Sequence, residues 1–389
     1  LPLSGVRVVD LTRVMTGPYS TMMLADMGAD VIKIEMPGKG DDTRAWGPPF
    51  QEGESTYYLS VNRNKRSVVL DLKSEAGRDA LWKLIESADV LVENFSPGTI
   101  GRLGFGYDDV KARNPRIIFA SISGFGQTGP AANRTAYDLI VQGMSGMMSI
   151  TGSPDAIPTK FGIPIADIAA GMFAAYAVVT ALYERERTGE GRHIDVSMLG
   201  GQAALLTYQA GIYFATRETP VKLGNAHPIV APYDAFAAAD GYVNIAAGND
   251  NLWQRLCAAL GMTDAAADER FSSNAGRITN KEALYAAIEN ALRERTIAEV
   301  VELLDGAGVP CGAIYSVRQL FEDPDLESAG LMQEIAHPTI GQLTLPGLPY
   351  QMSGHDLSVR SAPPLLGQHT EEVLREIGLS DEEILAVKR

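Results

Sequence analysis

The sequence predicts an α/β fold built on a mostly parallel sheet, with a smaller helix-rich domain inserted into the larger one. Over roughly the first 200 residues, short β-branched runs alternate with helical patterns, which is the signature of βαβ units. Near residue 216 the texture changes to a stretch rich in Pro, Gly, Asn and His, and amphipathic helical patterns follow it. The length of 389 residues exceeds what one compact core holds, so two domains are expected.

Strand candidates in the first part are residues 6–11, 31–35, 67–72, 89–93 and 116–121, with a helical pattern over 74–87 between two of them. The run 168–187 is apolar on nearly all sides until its last turn and predicts a helix enclosed by other elements. Arg185 and Arg187 favour its negative end, and Gly189 stops it. A strand over 193–198 leads into another Ala/Leu-rich helix. These elements make a large domain over 1–215, followed by a linker over 216–225. The smaller domain, 226–325, holds a strand candidate at 242–246 and several helices between 250 and 304. Residues 326–389 are too short to build a third core and are expected to return to the large domain.

Composition narrows the function. With 46% apolar and 21% charged residues the chain is an ordinary globular protein. Its formal charge of −15 argues against nucleic acid as the main partner, while allowing one local basic pocket for a polyphosphate ligand. Two cysteines, Cys257 and Cys311, form neither a disulfide framework nor a metal-ligand cluster, so no metal site is expected. Residues 168–183 are uncharged, but they are short for a membrane span and Ala-rich, and an Asp precedes them. The opening LPLSGVRVVDL lacks a charged leader followed by an apolar run. A cytoplasmic protein without membrane contact is the expectation.

Residues 124–129, GFGQTG, match GxGxxG after a good strand. A dinucleotide site also needs a helix to open there, and Pro130 with the unpatterned 131–134 denies it one. The segment 161–171, FGIPIADIAAG, is more informative, because it places Asp167 where the long apolar helix begins. An Asp there serves as an N-cap. The same carboxylate, kept ionised by the positive helix end, can also attack an acyl carbon. Both readings stand on spacing alone.

Several segments together resemble class III coenzyme A-transferases, a family that includes formyl-CoA transferase, carnitine-type CoA-transferases and α-methylacyl-CoA racemase. They are GVRVVDLT (5–12), GADVIKIE (28–35), NKRS (64–67), VENFSPG (92–98), PIADIAAG (164–171), TGEG (188–191), GVPCG (308–312) and LGQHT (366–370). The matches run in order along essentially the whole chain. The resemblance implies a Rossmann-like large domain that binds CoA, and a homodimer of two interlocked ring-shaped chains. It implies Asp167 as the catalytic carboxylate, and Val14, Thr16, Leu72, Lys73, Asn94, Phe95, Arg102 and Leu103 as the CoA site. Lys73 and Arg102 would then meet phosphates through charge-assisted hydrogen bonds. CoA and acyl-CoA enter as substrates, with no resident cofactor.

The resemblance also implies the reaction, in which CoA passes from an acyl-CoA donor to a carboxylic acid through an aspartyl anhydride and an aspartyl-CoA thioester. Racemases of the family use a His where this chain has Tyr137, and a tyrosine is a poor base at neutral pH, so transfer is preferred. Their second carboxylate falls near Asn249. Met15 stands where formyl-CoA transferase has a glutamine and Met36 where it has an arginine. The glycine-run insertion of that enzyme after Leu223 is also missing. Formate and oxalate are therefore disfavoured, and the expectation is succinyl-CoA with a dicarboxylic acid, Met15 and Tyr137 facing the substrate.

Overall fold

A computed structural model describes residues 1–388. Strands β1 (Arg7–Asp10), β2 (Asp30–Glu35), β3 (Lys65–Val69), β4 (Val90–Glu93), β5 (Ile118–Ser123) and β6 (Arg192–Ser197) form one sheet in the order β3-β2-β1-β4-β5-β6. Every neighbouring pair is parallel. A parallel sheet is covered on both faces, which is why these strands read as nearly continuous apolar runs. Val9, Ile32, Leu91 and Phe119 enter one core, and Val8, Val31, Val90 and Ile118 enter the other.

Two strands end elsewhere than the pattern suggests. Strand β3 stops at Val69, and Leu70 N–H donates to Glu35 at 3.0 Å before the chain turns. Asp71 accepts from the Lys73 amide and Ser74 caps the next helix, so turn chemistry overrides the apolar run and leaves Leu72 and Lys73 beyond the sheet. Strand β5 starts at Ile118, because Asn114 accepts from the Arg116 amide and holds that segment in a turn.

Helices α1 (Thr16–Asp26), α2 (Glu75–Glu86) and α3 (Ile165–Thr188) flank the sheet. Helix α3 ends as expected on Gly189, whose φ of 73° suits glycine and whose amide donates to Arg185 at 2.8 Å. Its predicted enclosure holds for one face only. Ala166, Ala170, Ala174, Ala175 and Val178 are buried, and Gly171 lets α1 approach, since a Cβ there would lie 2.7 Å from the Thr16 carbonyl oxygen. The opposite face exposes Met172, Phe173, Tyr176, Val179 and Tyr183. The helix is long and apolar enough to cross a membrane, with half of that window buried inside the protein.

Contacts divide the chain into two compact units. One comprises residues 1–147, 160–217 and 324 onward, and the other comprises 148–159 and 218–323. The second unit holds β7 (Tyr233–Ala238), β8 (Gly241–Ala246) and β9 (Cys311–Ala313), an antiparallel sheet in the order β9-β8-β7. Helices over Asp250–Leu260, Lys281–Leu292 and Ile297–Gly306 supply Trp253, Leu256, Leu284, Ile288 and Val300 to a core with Phe236. The GVPCG segment thus contributes an edge strand. In the first unit, LGQHT protects the free edge of β3: Ser67 N–H donates to His369 Nδ1 at 3.1 Å and Val69 N–H to Thr370 Oγ1 at 3.0 Å.

Candidate active site

The loop between β1 and α1 is tied down by buried charges. Asp10, at the end of β1, accepts from the Thr12 amide at 2.9 Å, from Thr21 Oγ1 at 2.6 Å and from Lys65 Nζ at 3.2 Å. Lys65 also donates to the Pro18 carbonyl at 2.8 Å. Lys33, on β2, is fully buried, pairs with Asp41 at 2.9 Å and donates to the Thr12 carbonyl at 2.9 Å. Burial pushes the Asp41 carboxyl up, but Lys33 and the Thr43 hydrogen bonds together outweigh it and hold the carboxyl at about 2. Burial pulls the Lys65 amine down to about 8 despite Asp10. With Thr12 and Pro18 fixed, Val14 sits at φ 71°, a strained region for a β-branched residue, and its amide reaches Asp41 at 3.3 Å.

Met15 and Thr16 follow this strained residue. Met15 is buried against Met22 and Val61, with Val14, Tyr19 and Tyr57 around them. Thr16 opens α1, and its hydroxyl donates to Oδ1 of Asp167 in the first turn of α3. The N-cap reading of Asp167 needs correction, because Pro164 is the N-cap and Asp167 lies three residues into the helix. Asp138 serves the helix end instead: Oδ1 accepts from the Ala166 amide at 2.8 Å and Oδ2 from Gln142 at 2.6 Å. Gln142, fully buried, accepts in turn from the Phe161 amide at 2.8 Å.

The electrostatics also differ from the dipole expectation. Burial raises the Asp167 carboxyl to about 6, with Asp138 adding to burial and the Thr16 hydrogen bond opposing it. Tyr57 is pushed up to about 12 by burial and by the fields of Asp167, Asp138 and Asp41, which places its phenol in the same neighbourhood. At neutral pH the site therefore holds an ionised but poorly solvated carboxylate, and desolvation makes such a group a better nucleophile.

A second feature lies at the C-terminal ends of β1 to β4, where the strand order reverses and ligands of open α/β sheets bind. A cleft of about 380 Å³ is lined by Leu11, Arg13, Met36, Leu72, Lys73, Phe95 and Leu103 among others. Asn94 does not line the cleft but holds Arg13, which does, accepting from the Arg13 amide at 2.8 Å and donating to the Arg13 carbonyl at 2.7 Å. Glu93, buried and raised to about 7 chiefly by burial, accepts from the Phe95 amide at 2.8 Å. The structure thus brings Leu72, Lys73, Phe95 and Leu103 together, with Asn94 bonded to the backbone of their neighbour Arg13. Val14 follows Arg13 on the loop, and Thr16, at the start of α1, meets Asp167.

Arg102 is exposed, does not line the cleft, and donates to Thr99 Oγ1 at 2.7 Å. Tyr137 is 67% exposed and precedes the helix that carries Asp138. No helix opens at the GxGxxG loop; the next one begins at Asp138. A larger depression of about 1130 Å³ lies beside the C-terminal segment, but its cations Arg375 and Lys388 are both paired with Glu371, and Asp71, Glu372 and Glu376 leave the lining net acidic, the wrong charge for phosphates. Among the described residues no His, Cys, Asp and Glu cluster could hold a metal ion.

Sequence reasoning missed Tyr57, Asp138, Gln142, Glu93 and the Lys33–Asp41 pair. Of these only Lys33 and Glu93 carried a visible signal, a charge inside an apolar strand, as in residues 31–35, VIKIE.

Comparison with known proteins identifies the family. The profile of CoA-transferase family III matches residues 3–370. Succinyl-CoA:glutarate CoA-transferase of Mus musculus is 42% identical over 98% of this chain and 87% of its own length. Acetyl-CoA:oxalate CoA-transferase of Acetobacter aceti is 45% identical over 91% of this chain and 90% of its own. A crystal structure of a CAIB/BAIF family protein from Brucella suis superposes with a TM-score of 0.86 at 40% identity, covering 97% of this chain and 99% of that one. The chain belongs to CoA-transferase family III, and is an enzyme whose substrates are CoA thioesters and carboxylic acids.

Proposed function

We propose that the enzyme moves CoA from succinyl-CoA to a dicarboxylic acid, with Asp167 as the nucleophile. The observation that carries the reading is a half-buried carboxylate at about 6, held by Thr16 at the end of the loop that starts in the strand-end cleft. The donor follows the mouse relative, whose name pairs succinyl-CoA with glutarate. A relative 45% identical to this chain is named for oxalate, so oxalate belongs in the test beside the other dicarboxylic acids. The racemase alternative is not favoured: these relatives are named as transferases, and Tyr137 offers no base.

In this reading the cleft takes the CoA, with Lys73 and Arg13 as its cations and Phe95, Leu72, Leu103 and Met36 as its apolar floor. Arg102 lies one residue from Leu103 and would turn towards the phosphates on binding. Val14, Thr16 and Asn94 shape the path to Asp167, while Met15 and Tyr137 face the acyl group. Strand order β3-β2-β1-β4-β5-β6 supports the Rossmann-like description of this site. No metal or resident cofactor is assigned a step.

We further propose a homodimer of interlocked chains. The apolar face of α3, and the helix Thr207–Thr216 with no buried residue in a single chain, support it. The test is to incubate the protein with succinyl-CoA and glutarate, oxalate or other dicarboxylic acids and follow new acyl-CoA by mass spectrometry. New thioesters that vanish in Asp167→Ala support the reading. Their persistence in that variant, or deuterium exchange at the α-carbon of a 2-methylacyl-CoA without transfer, overturns it.

A further inference from the structure

Helices α1 and α3 both begin on residues that cap nothing, Met15 and Pro164. The hydroxyl at the start of α1 crosses between them to the carboxylate in the first turn of α3, 151 residues away in sequence. Thr16 is 5% exposed, so its hydroxyl has little access to solvent, and it touches Oδ1 while Oδ2 of Asp167 accepts no hydrogen bond among the described residues. The close approach depends on Gly171, where a side chain would strike the Thr16 carbonyl.

We propose that Thr16 is a catalytic residue, its hydroxyl reserving Oδ1 and later stabilising the oxyanion that forms on that atom; this rests on Asp167 being the nucleophile. In the first step a lone pair of Oδ2 attacks the donor thioester carbon. The C–S bond breaks and its electron pair leaves on the CoA thiolate, giving the mixed anhydride. The thiolate then attacks Cγ of Asp167, and the carbonyl pair moves onto Oδ1, where Thr16 donates. Collapse reforms the Cγ–Oδ1 double bond and expels the donor's carboxylate with Oδ2, leaving the aspartyl-CoA thioester. When the acceptor carboxylate attacks Cγ, the same oxyanion forms on Oδ1 and CoA thiolate departs. The thiolate finally attacks the acceptor carbonyl and returns a carboxylate to Asp167. No proton is gained or lost over the cycle. A donor aimed at the atom where charge develops, in a desolvated site, is the arrangement that stabilises such intermediates.

The alternative is that Thr16 only satisfies a buried carboxylate. Thr16→Val, Thr16→Ala and Thr16→Ser would separate the two. The enzyme–CoA thioester would be formed by mixing each variant with succinyl-CoA, and its discharge by a carboxylic acid active with the unmodified enzyme followed by rapid quench. Loss of one such donor lowers the rate about a hundredfold. The expected result is discharge slowed to that extent in Thr16→Val and Thr16→Ala, near-normal discharge in Thr16→Ser, and an acid limb of kcat/KM moved to higher pH in the first two. Discharge at the unmodified rate in Thr16→Val or Thr16→Ala overturns the proposal, as does failure of Thr16→Ser to restore it in a folded protein. If the unmodified enzyme transfers CoA without any thioester at Asp167, the nucleophile reading fails and this proposal with it.

Discussion

Replacing Asp167 by Asn should abolish transfer and yet stabilise the protein above pH 6. The folded-state value of about 6 stands against an ordinary 3.8, because burial penalises the charge. A carboxyl raised on folding favours the folded state when protonated, and that advantage is lost as pH rises from about 4 through about 6. At 1.36 kcal/mol per unit, ionisation in the folded site costs roughly 3 kcal/mol, and partial solvent access reduces this to about 1–2 kcal/mol. Asn has the same shape and still accepts from Thr16, so little else changes. For a chain of this size the gain corresponds to roughly 1–3 °C in the thermal midpoint. Differential scanning at pH 8 and pH 5, on both proteins without ligand, would measure it. The gain should fall to about half at pH 5. A variant no more stable than the parent at pH 8, or one whose gain ignores pH, would refute the electrostatic account of Asp167.

The other predictions follow from the same geometry. Because Asp167 must be ionised to attack, kcat/KM for acyl-CoA should climb through about pH 6 and level above it; a profile flat from pH 5 to 8 would contradict this. Gly171→Ala puts a Cβ 2.7 Å from the Thr16 carbonyl, and should part α1 from α3, lowering kcat by tenfold or more with about 1–3 kcal/mol lost in stability on denaturant titration. Asn94→Ala removes both bonds to the Arg13 backbone, which should cost about 1–3 kcal/mol and raise KM for acyl-CoA more than it lowers kcat. Lys65→Met strips a buried partner from Asp10 and should destabilise the chain by about 3–5 kcal/mol, while the double change with Asp10→Asn recovers part of that loss.

The parallel sheet was legible because each strand is buried on both faces, and runs such as VIKIE and VLV have few other homes. Strand ends were less so: Asp71 and Ser74 stop β3 through turn chemistry that an apolar run conceals. Helix α3 was predicted with the right stop but too much enclosure, since composition cannot tell a face against the sheet from one left bare. Asp167 could be singled out at the start of an apolar helix. Thr16 was named only for the CoA site, and its pairing with Asp167 could not be read, because nothing local signals a contact across 151 residues. Lys33 and Lys65 read as ordinary cations in sequence, and only the fold buries both and turns them into anchors of the active-site loop.

The central claim is a covalent path through Asp167. The most direct measurement is to mix the enzyme with succinyl-CoA, quench with hydroxylamine and map the modified residue by peptide mass spectrometry. The account predicts an aspartyl hydroxamate at Asp167, dependent on succinyl-CoA and absent without it. Steady transfer of CoA with Asp167 unmodified under the same quench would contradict it.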